Sequence, residues 1–118
     1  MDSFSIPHLP PIRFVKRLLK ADETTALVKV GFDEVPTLGM LIEAAAQSSS
    51  GIKDSENNGR IGFVITLKNI KLLEDVKQKE FVVNVELIHK LDDFKSLSFE
   101  IYEDEIKIAI GGFSIALQ

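Results

Sequence analysis

Residues 38–50 read Leu-Gly-Met-Leu-Ile-Glu-Ala-Ala-Ala-Gln-Ser-Ser-Ser, and this segment constrains the architecture more than any other. Its apolar and small residues recur at i, i+3, i+4, i+7, i+8 and i+11 from Leu38, the stripe of one helical face. The opposite face lacks the mixed charges of an ordinary exposed helix, because no Lys or Arg occurs between Phe32 and Ile52. We therefore predict a helix from Leu38 to about Ser50 that the rest of the domain surrounds.

The segments ahead of this helix are less uniform. Residues 26–32 (Ala-Leu-Val-Lys-Val-Gly-Phe) are rich in β-branched residues and predict a strand. Residues 12–20 mix apolar and basic residues at a spacing that fits either a helix or the start of a strand, so both remain open. Residues 33–37 predict a turn and the helix start, with either Pro36 in the first helical position or Thr37 as the cap.

The part of the chain that follows the helix is strand-like. Residues 51–60 are polar and contain Asn58-Gly59, a strong turn signal, so a loop is predicted there. Beyond the loop, apolar residues occupy every second position, as expected of antiparallel strands with one covered face. Gly111-Gly112 interrupts the last alternation, and a bulge at that point is the simplest explanation. The alternating residues are Ile61, Phe63, Ile65 and Leu67; Phe81, Val83, Val85 and Leu87; Phe99 and Ile101; Ile106, Ile108 and Ile110; and Phe113, Ile115 and Leu117.

These elements predict a single α+β domain over residues 1–118, in which an antiparallel sheet wraps around one long central helix. A chain of this length buries enough surface to form one hydrophobic core. An open sheet of this kind leaves a long edge strand unpaired. We therefore expect a homodimer whose two sheets join edge to edge.

Composition excludes several classes of function. The 14 Lys and Arg against 18 Asp and Glu give a net charge of −4, which argues against a nucleic-acid partner. The absence of Cys excludes disulfides, thiolate zinc sites and thiol catalysis, and two His are too few for a His-rich metal site. Residues 1–7 show neither region of an export signal, and no run of about eighteen apolar residues exists. A cytoplasmic protein without a membrane span is expected.

Three segments together resemble the 3-hydroxyacyl-[acyl-carrier-protein] dehydratases, a family of hotdog-fold enzymes. Residues 6–17 (IPHLPPIRFVKR) are similar to that family's opening Leu-Pro-His-Arg-x-Pro-Phe and Val-Asp-Arg, with Leu9 replacing the first Arg and Lys16 replacing the Asp. Residues 41–47 (Leu-Ile-Glu-Ala-Ala-Ala-Gln) resemble its Ile-Ile-Glu-Ala-x-Ala-Gln on the central helix. Residues 62–87 give a looser third match, so the resemblance covers nearly the whole chain in the right order.

One motif of that family is missing. Its catalytic His lies in a Gly-His-Phe-Pro sequence just before the helix, whereas residues 31–36 here read Gly-Phe-Asp-Glu-Val-Pro. In the family a His and a carboxylate from opposite subunits remove the C2 proton and protonate the departing C3 hydroxyl. Glu43 matches that carboxylate, so the resemblance implies the hotdog fold with Glu43 as the catalytic acid. The alternative is that Glu43 faces a wet dimer groove or bonds the neighbouring strand.

The resemblance also points to residues around Glu43. Asp33 and Glu34 stand where the missing His would be and are candidates for a substitute base, although acidic residues there often only complement the positive helix N-terminus. Gly39, at the helix start, is expected to present backbone amides to the thioester carbonyl. Gln47 is a family match that would contact substrate or orient the carboxylate. His8, which matches a non-catalytic His, is a further substrate-binding candidate or packs in its Pro-rich segment.

A carrier protein is the partner that the resemblance implies. Arg13, Lys16, Arg17 and Lys20 form the basic cluster of an acidic chain, and Arg13 and Arg17 are candidates for docking an acidic carrier. A solvated basic face is the alternative. The substrate would be a thioester of acyl carrier protein or coenzyme A whose phosphopantetheine arm arrives with it. Neither a metal nor a dissociable cofactor is therefore implied.

The leading interpretation is a 3-hydroxyacyl-thioester dehydratase-like protein of fatty-acid or related acyl-chain biosynthesis. Two alternatives follow from the missing His. One is a hotdog thioesterase, in which a single helix carboxylate activates water. The other is a non-catalytic acyl-binding subunit that completes a mixed dimer with a His-bearing hotdog chain.

Overall fold

The computed structural model describes residues 13–53 and 62–117. The predicted Asn58-Gly59 turn lies outside these ranges. Within them the chain forms six β-strands and one α-helix, and a short 3-10 helix (Ser49–Gly51) continues the α-helix directly. In chain order the elements are β1 (Val15–Ala21), β2 (Thr25–Gly31), α1 (Leu38–Ser48), β3 (Gly62–Leu72), β4 (Glu80–Leu91), β5 (Phe94–Glu103) and β6 (Ile106–Leu117).

The six strands form one antiparallel sheet in the order β1-β2-β4-β5-β6-β3, so that β1 and β3 are its edges. The helix packs mainly on β4, β2, β1 and β5. This arrangement confirms the predicted antiparallel sheet around one helix. The helix is shorter than the long one expected, with 11 α-helical residues and 3 in the 3-10 helix. No helix within the described ranges is long and apolar enough to cross a membrane.

The ends of α1 follow from local hydrogen bonds. Thr37 is the N-cap, because its hydroxyl accepts from the amide of Met40 at 3.2 Å and its carbonyl accepts from that of Leu41 at 3.1 Å. Of the two predicted starts, Thr37 as the cap is therefore confirmed. At the other end the hydroxyls of Ser48 and Ser49 donate back to helix carbonyls at 2.7 and 2.6 Å. Such bonds compete with regular helix geometry, and the chain tightens into the 3-10 helix.

Small residues let α1 approach the sheet closely. From residue 40 to residue 48 every position of α1 is at least partly buried, as the absence of Lys and Arg from this segment predicted. The buried row differs from the predicted stripe, because Ala44 and Ser48 face the core while Ile42 is only partly buried. The core that this row covers consists of alternate strand residues, chiefly Val28, Val30, Val83, Val85, Phe99, Ile101 and Phe113.

Two bulges explain why residues 12–20 could not be assigned from sequence. β1 pairs with β2, but the register shifts between Val15 and Arg17 and again between Leu18 and Lys20. Each extra residue lengthens the spacing of the residues that face the core, so Val15, Leu18 and Ala21 fall at intervals of three. Intervals of three imitate a helix. The segment is therefore a strand with a helix-like sequence pattern.

The bulge predicted at Gly111-Gly112 is present only in the pairing of β6 with β3, whose register shifts between Lys68 and Lys71 opposite Gly111. On β6 the pairing with β5 runs without interruption past both glycines, and the register shifts at Ile108 instead. The glycines are explained by packing. A Cβ on Gly111 would lie 2.9 Å from Phe99 Cζ and would overlap Ile70 Cδ1, so no side chain fits there.

Candidate functional site

Glu43 lies in the second turn of α1 and is half-buried. At about 100° per residue it falls on the side of the helix opposite the row that packs on the sheet. Gly39 precedes it by one turn and Gln47 follows it by one turn, so the three residues share one strip of the helix surface. The structure thus brings together the three helix residues that the sequence singled out.

The N-terminus of α1 is open at Gly39. The first amides of a helix have no acceptor inside the helix. Thr37 accepts from the amides of Met40 and Leu41, whereas the described residues provide no acceptor for the amides of Leu38 and Gly39. A Cβ built on Gly39 would meet only the Thr37 hydroxyl, at 3.8 Å, so the space in front of this residue is free of described atoms. The two amide donors that lie one turn before the carboxylate therefore have no acceptor among the described residues.

Gln47 ties the helix to the strand segment beside it. It is 2% exposed, and its side-chain oxygen accepts from the backbone amide of Phe14 at 2.8 Å. The carbonyl of Phe14 in turn accepts from the amide of Gly31 at 2.9 Å. The ring of Phe14 lies 4.6 Å from that of Phe32, which lies 5.8 Å from that of Phe81. Gln47 thus fixes the turn that follows Glu43 against β1, and its contact with substrate remains a prediction.

Asp33 and Glu34 are both exposed and lie ahead of the helix cap. They differ in this respect from Glu43, which is half-buried within the helix. The segment of residues 31–36 contains no His, and His8 lies outside the described residues. A role for Asp33 or Glu34 as a substitute base, and any role for His8, therefore remain predictions.

The four residues of the basic cluster differ in their exposure. Arg17, Lys16 and Lys20 are exposed on the edge strand β1, as docking of an acidic partner requires. Arg13 is only partly exposed, and its buried Nε and Nη2 atoms have no hydrogen-bond partner among the described residues. A buried guanidinium is a costly arrangement unless an anion or water pairs with it. Arg17 is thus better placed for surface docking than Arg13.

Two buried charged residues on β5 were not predicted from the sequence. The inner face of β5 continues the row of Leu97, Phe99 and Ile101 to Lys95 at one end and Glu103 at the other. Both charged residues stand in the alternating register of the core residues. Their place in this alternating register could have identified both residues from the sequence, because a charged residue in a core position is normally paired or hydrogen-bonded. The carboxylate of Glu103 accepts from two backbone amides of the segment that joins β3 to β4.

The edge strand β3 exposes apolar side chains on the face of the sheet that elsewhere carries the core. Leu67 is 51% exposed although it pairs with the buried Phe113, and Val64 is 42% exposed although it pairs with the buried Ile115. The helix packs on this same face but over β4, β2, β1 and β5, and it leaves the part at β3 uncovered. Leu72 and Leu73 extend the same exposed apolar area. We call these four residues the β3 patch.

The resolved pKa shifts lie away from α1. The backbone amides of Thr24 and Thr25 donate to Asp22 at 2.9 and 2.8 Å and lower the pKa of that carboxyl. On the outer face of the sheet Lys107 lies 2.6 Å from Glu100, which lowers the pKa of Glu100 and raises the pKa of Lys107. Both arrangements stabilise a turn or a strand pair. Among the described residues no cluster of three or more His, Asp or Glu could hold a metal ion.

The fold is similar to that of several solved proteins, whereas no protein-family model and no curated protein sequence matches the chain. The dehydratase heterocomplex ApeI:P from Xenorhabdus doucetiae has a TM-score of 0.82 at 12% identity, covering 98% of this chain and 89% of that one. An HP0420 homologue from Helicobacter felis has a TM-score of 0.72 at 19% identity, covering 95% and 83%. A hypothetical thioesterase from Streptococcus pneumoniae, solved with coenzyme A, has a TM-score of 0.68 at 14% identity, covering 86% and 84%.

These similarities confirm the hotdog fold that the sequence resemblance implied. They do not select one reaction, because the neighbours include a dehydratase complex and a thioesterase. The choice of reaction depends on the residues of this chain.

Proposed function

We propose that the chain acts on acyl thioesters as a 3-hydroxyacyl-thioester dehydratase-like protein, with Glu43 as its acid. The observation that carries this proposal is the strip on α1, where a half-buried carboxylate lies one turn after the open amides at Gly39. At a rise of about 1.5 Å per residue, the two positions are separated by roughly 6 Å along the helix axis. One thioester can therefore contact both positions at once.

The chemistry follows from this arrangement. The amides of Leu38 and Gly39 donate to the thioester carbonyl oxygen and stabilise the negative charge that it gains when C2 loses its proton. Glu43 donates a proton to the C3 hydroxyl, which leaves as water, and the electron pair from C2 forms the double bond. The products are a 2-enoyl thioester and water. The base that takes the C2 proton is Asp33, Glu34 or a residue of a second chain, because the family His is absent.

Dimerisation explains the β3 patch. An edge strand with unpaired backbone groups and an uncovered apolar face is a ready site for a second chain. A second copy that pairs along β3 would continue the sheet and cover Val64 and Leu67. A mixed dimer with a His-bearing chain uses the same edge, and the heterocomplex among the structural neighbours supports this alternative.

Arg17 provides the docking point for an acidic carrier protein in this proposal. It is exposed on β1 beside Lys16 and Lys20. Clustered positive charge of this kind raises the rate of association with an acidic partner and loses its effect at high salt. The carrier delivers the acyl chain on its phosphopantetheine arm, and coenzyme A thioesters carry the same arm.

Thioester hydrolysis is the second candidate reaction, which the coenzyme A complex of a hypothetical thioesterase with this fold supports. Here Glu43 would act as a base on water, which attacks the carbonyl bound at Gly39. The carbon–sulfur bond breaks, and the products are a free acid and a free thiol. Such a mechanism needs a single carboxylate and no His.

Product identification separates the candidates. The purified chain is supplied with a short 3-hydroxyacyl coenzyme A thioester, and both the 2-enoyl product and the free thiol are followed. The dehydratase proposal predicts the enoyl product without thiol release. Thiol release without enoyl would establish the thioesterase instead. If neither product forms and the chain is folded and dimeric, autonomous catalysis is excluded, and activity restored by a His-bearing hotdog chain would establish the mixed dimer.

A further inference from the structure

Glu103 is a buried carboxylate that binds backbone rather than another side chain. It is 7% exposed at the end of the inner row of β5. Its Oε2 atom accepts from the amide of Lys77 at 2.9 Å and from that of Gln78 at 3.0 Å. Hydrogen bonds to a charged acceptor are stronger than neutral ones, and they offset the cost of burying the carboxylate. Glu103 therefore fixes residues 73–79, the segment from β3 to β4, which we call the strap.

The strap is bonded at both of its ends. Its first amide, from Leu73, donates to the carbonyl of Ile108 at 2.7 Å. Ile108 is the bulged residue of β6, with no directly opposite partner on β5. The carbonyl of Lys79, at the last position of the strap, accepts from the amide of Phe32 at 2.9 Å. The strap thus connects the β5–β6 hairpin to Phe32.

Phe32 begins the segment that leads into α1. Its ring packs on Phe14 and Phe81, and its amide is held by the strap. The next residues are Asp33 and Glu34, and the segment ends at the helix cap. The position of the open amides at the helix start therefore depends on where Phe32 is held.

We propose that Glu103 is a positioning residue, which holds Phe32 and the entry to α1 in place through the strap. It acts through backbone hydrogen bonds and not on the substrate. The effect on catalysis rests on the proposed function, whereas the effect on the strap depends on the fold alone. Because electrostatic stabilisation requires donors held within about 0.5 Å of their working position, loosening the strap lowers kcat more than it changes KM.

Amide hydrogen exchange tests whether Glu103 holds the strap and Phe32 in place. Glu103→Gln keeps one neutral acceptor, and Glu103→Met keeps none. We expect exchange at Phe32, Lys77 and Gln78 to accelerate by roughly tenfold in Glu103→Gln and about a hundredfold in Glu103→Met, as loss of hydrogen bonds to a charged group implies. The matched control is Asp104→Asn, because among the described residues Asp104 accepts only from the side-chain amide of Gln78, at 2.9 Å. The control should leave these three amides protected.

Two results would overturn the structural part. One is unchanged exchange at these amides in both Glu103 variants. The other is equal acceleration across the amides of all strands, which would show that Glu103 stabilises the whole domain and not the strap. Neither result depends on the reaction that the protein catalyses.

Kinetics test the catalytic part in the same variants. If the wild-type chain forms product, we expect kcat to be lower in Glu103→Gln than in the wild type and lower still in Glu103→Met. KM should change less than twofold in both variants. In Asp104→Asn kcat should stay at the wild-type value. An accelerated exchange with unchanged kcat would contradict the catalytic role while leaving the strap intact as a structural finding. A wild-type chain that stays inactive both alone and with a His-bearing hotdog chain would refute the proposed function and the catalytic role together, and the exchange data would still decide the positioning.

Discussion

Replacing Gly111 by Ala tests how tightly the inner face of the sheet is packed. The added Cβ would lie 2.9 Å from Phe99 Cζ, 3.0 Å from Phe99 Cε2 and closer still to Ile70 Cδ1. Phe99 is fully buried and cannot move without disturbing the core around it. Inserting one carbon into such a site costs about 1–3 kcal/mol of unfolding free energy. With a urea m-value of about 1.5 kcal/mol per M, the unfolding midpoint falls by roughly 1 M.

The assay is urea unfolding followed by circular dichroism, with Gly39→Ala as the matched control. A Cβ on Gly39 meets only a hydroxyl at 3.8 Å, and Ala favours a helix over Gly by up to about 1 kcal/mol. The control should therefore be as stable as the wild type or slightly more stable. The double variant Gly111→Ala/Ile70→Ala should recover part of the loss. A Gly111→Ala protein with an unchanged midpoint would refute the packing described for β5, β6 and β3.

Three further predictions concern other parts of the fold. Gln47→Leu leaves the amide of Phe14 without its acceptor, so the unfolding free energy in urea falls by about 1–3 kcal/mol, and an unchanged value would show that the bond is not stabilising. Asp22 has a lowered pKa, so its stabilising contribution is present above pH 3.8 and is lost as the pH falls through the folded-state pKa. The unfolding free energies of wild type and Asp22→Asn should therefore converge in acid, and a gap of equal size at pH 6 and pH 2 would contradict this. Leu67→Asp should convert a dimer into a monomer in light scattering, whereas Leu91→Asp, at an exposed position on the β4–β5 hairpin, should not; a dimer that survives Leu67→Asp would place the interface elsewhere.

The helix and four of the strands could be predicted because their sequence periods are regular. The stripe from Leu38 onwards predicts α1, and period-two alternation predicts residues 81–87 of β4 and 99–101 of β5, although these strands extend over Glu80–Leu91 and Phe94–Glu103. β1 could not be predicted in this way, because its two bulges place the core-facing residues at intervals of three instead of two. The irregularity predicted at Gly111-Gly112 is confirmed for the pairing with β3 and is wrong for the pairing with β5. A break in alternation signals either a bulge or a side chain that has no room, and only the packing of Phe99 and Ile70 distinguishes them.

Only the part of the candidate site that lies on α1 could be predicted from the sequence. Gly39, Glu43 and Gln47 share a strip because their spacing within a helix fixes their relative positions. The partners of these residues come from elsewhere in the chain, and sequence periodicity says nothing about such distances. The bond from Phe14 to Gln47 spans 33 residues, and the bonds from the strap to Glu103 span 25 and 26. The uncovered β3 patch also depends on the strand order, which places β3 at an edge next to β6.

The central claim is that Glu43 acts on a thioester bound at the start of α1. The most direct measurement is kcat/KM for a 3-hydroxyacyl coenzyme A thioester in wild type, Glu43→Gln and Glu105→Gln, with unfolding temperature recorded for each. Glu105 is an exposed carboxylate in the β5–β6 turn and serves as the control. We predict that Glu43→Gln lowers kcat/KM by about 10²–10⁴ at an unchanged unfolding temperature, the range typical of losing a general acid, while Glu105→Gln is unaffected. Full activity in Glu43→Gln, or an equal loss in Glu105→Gln, would contradict it.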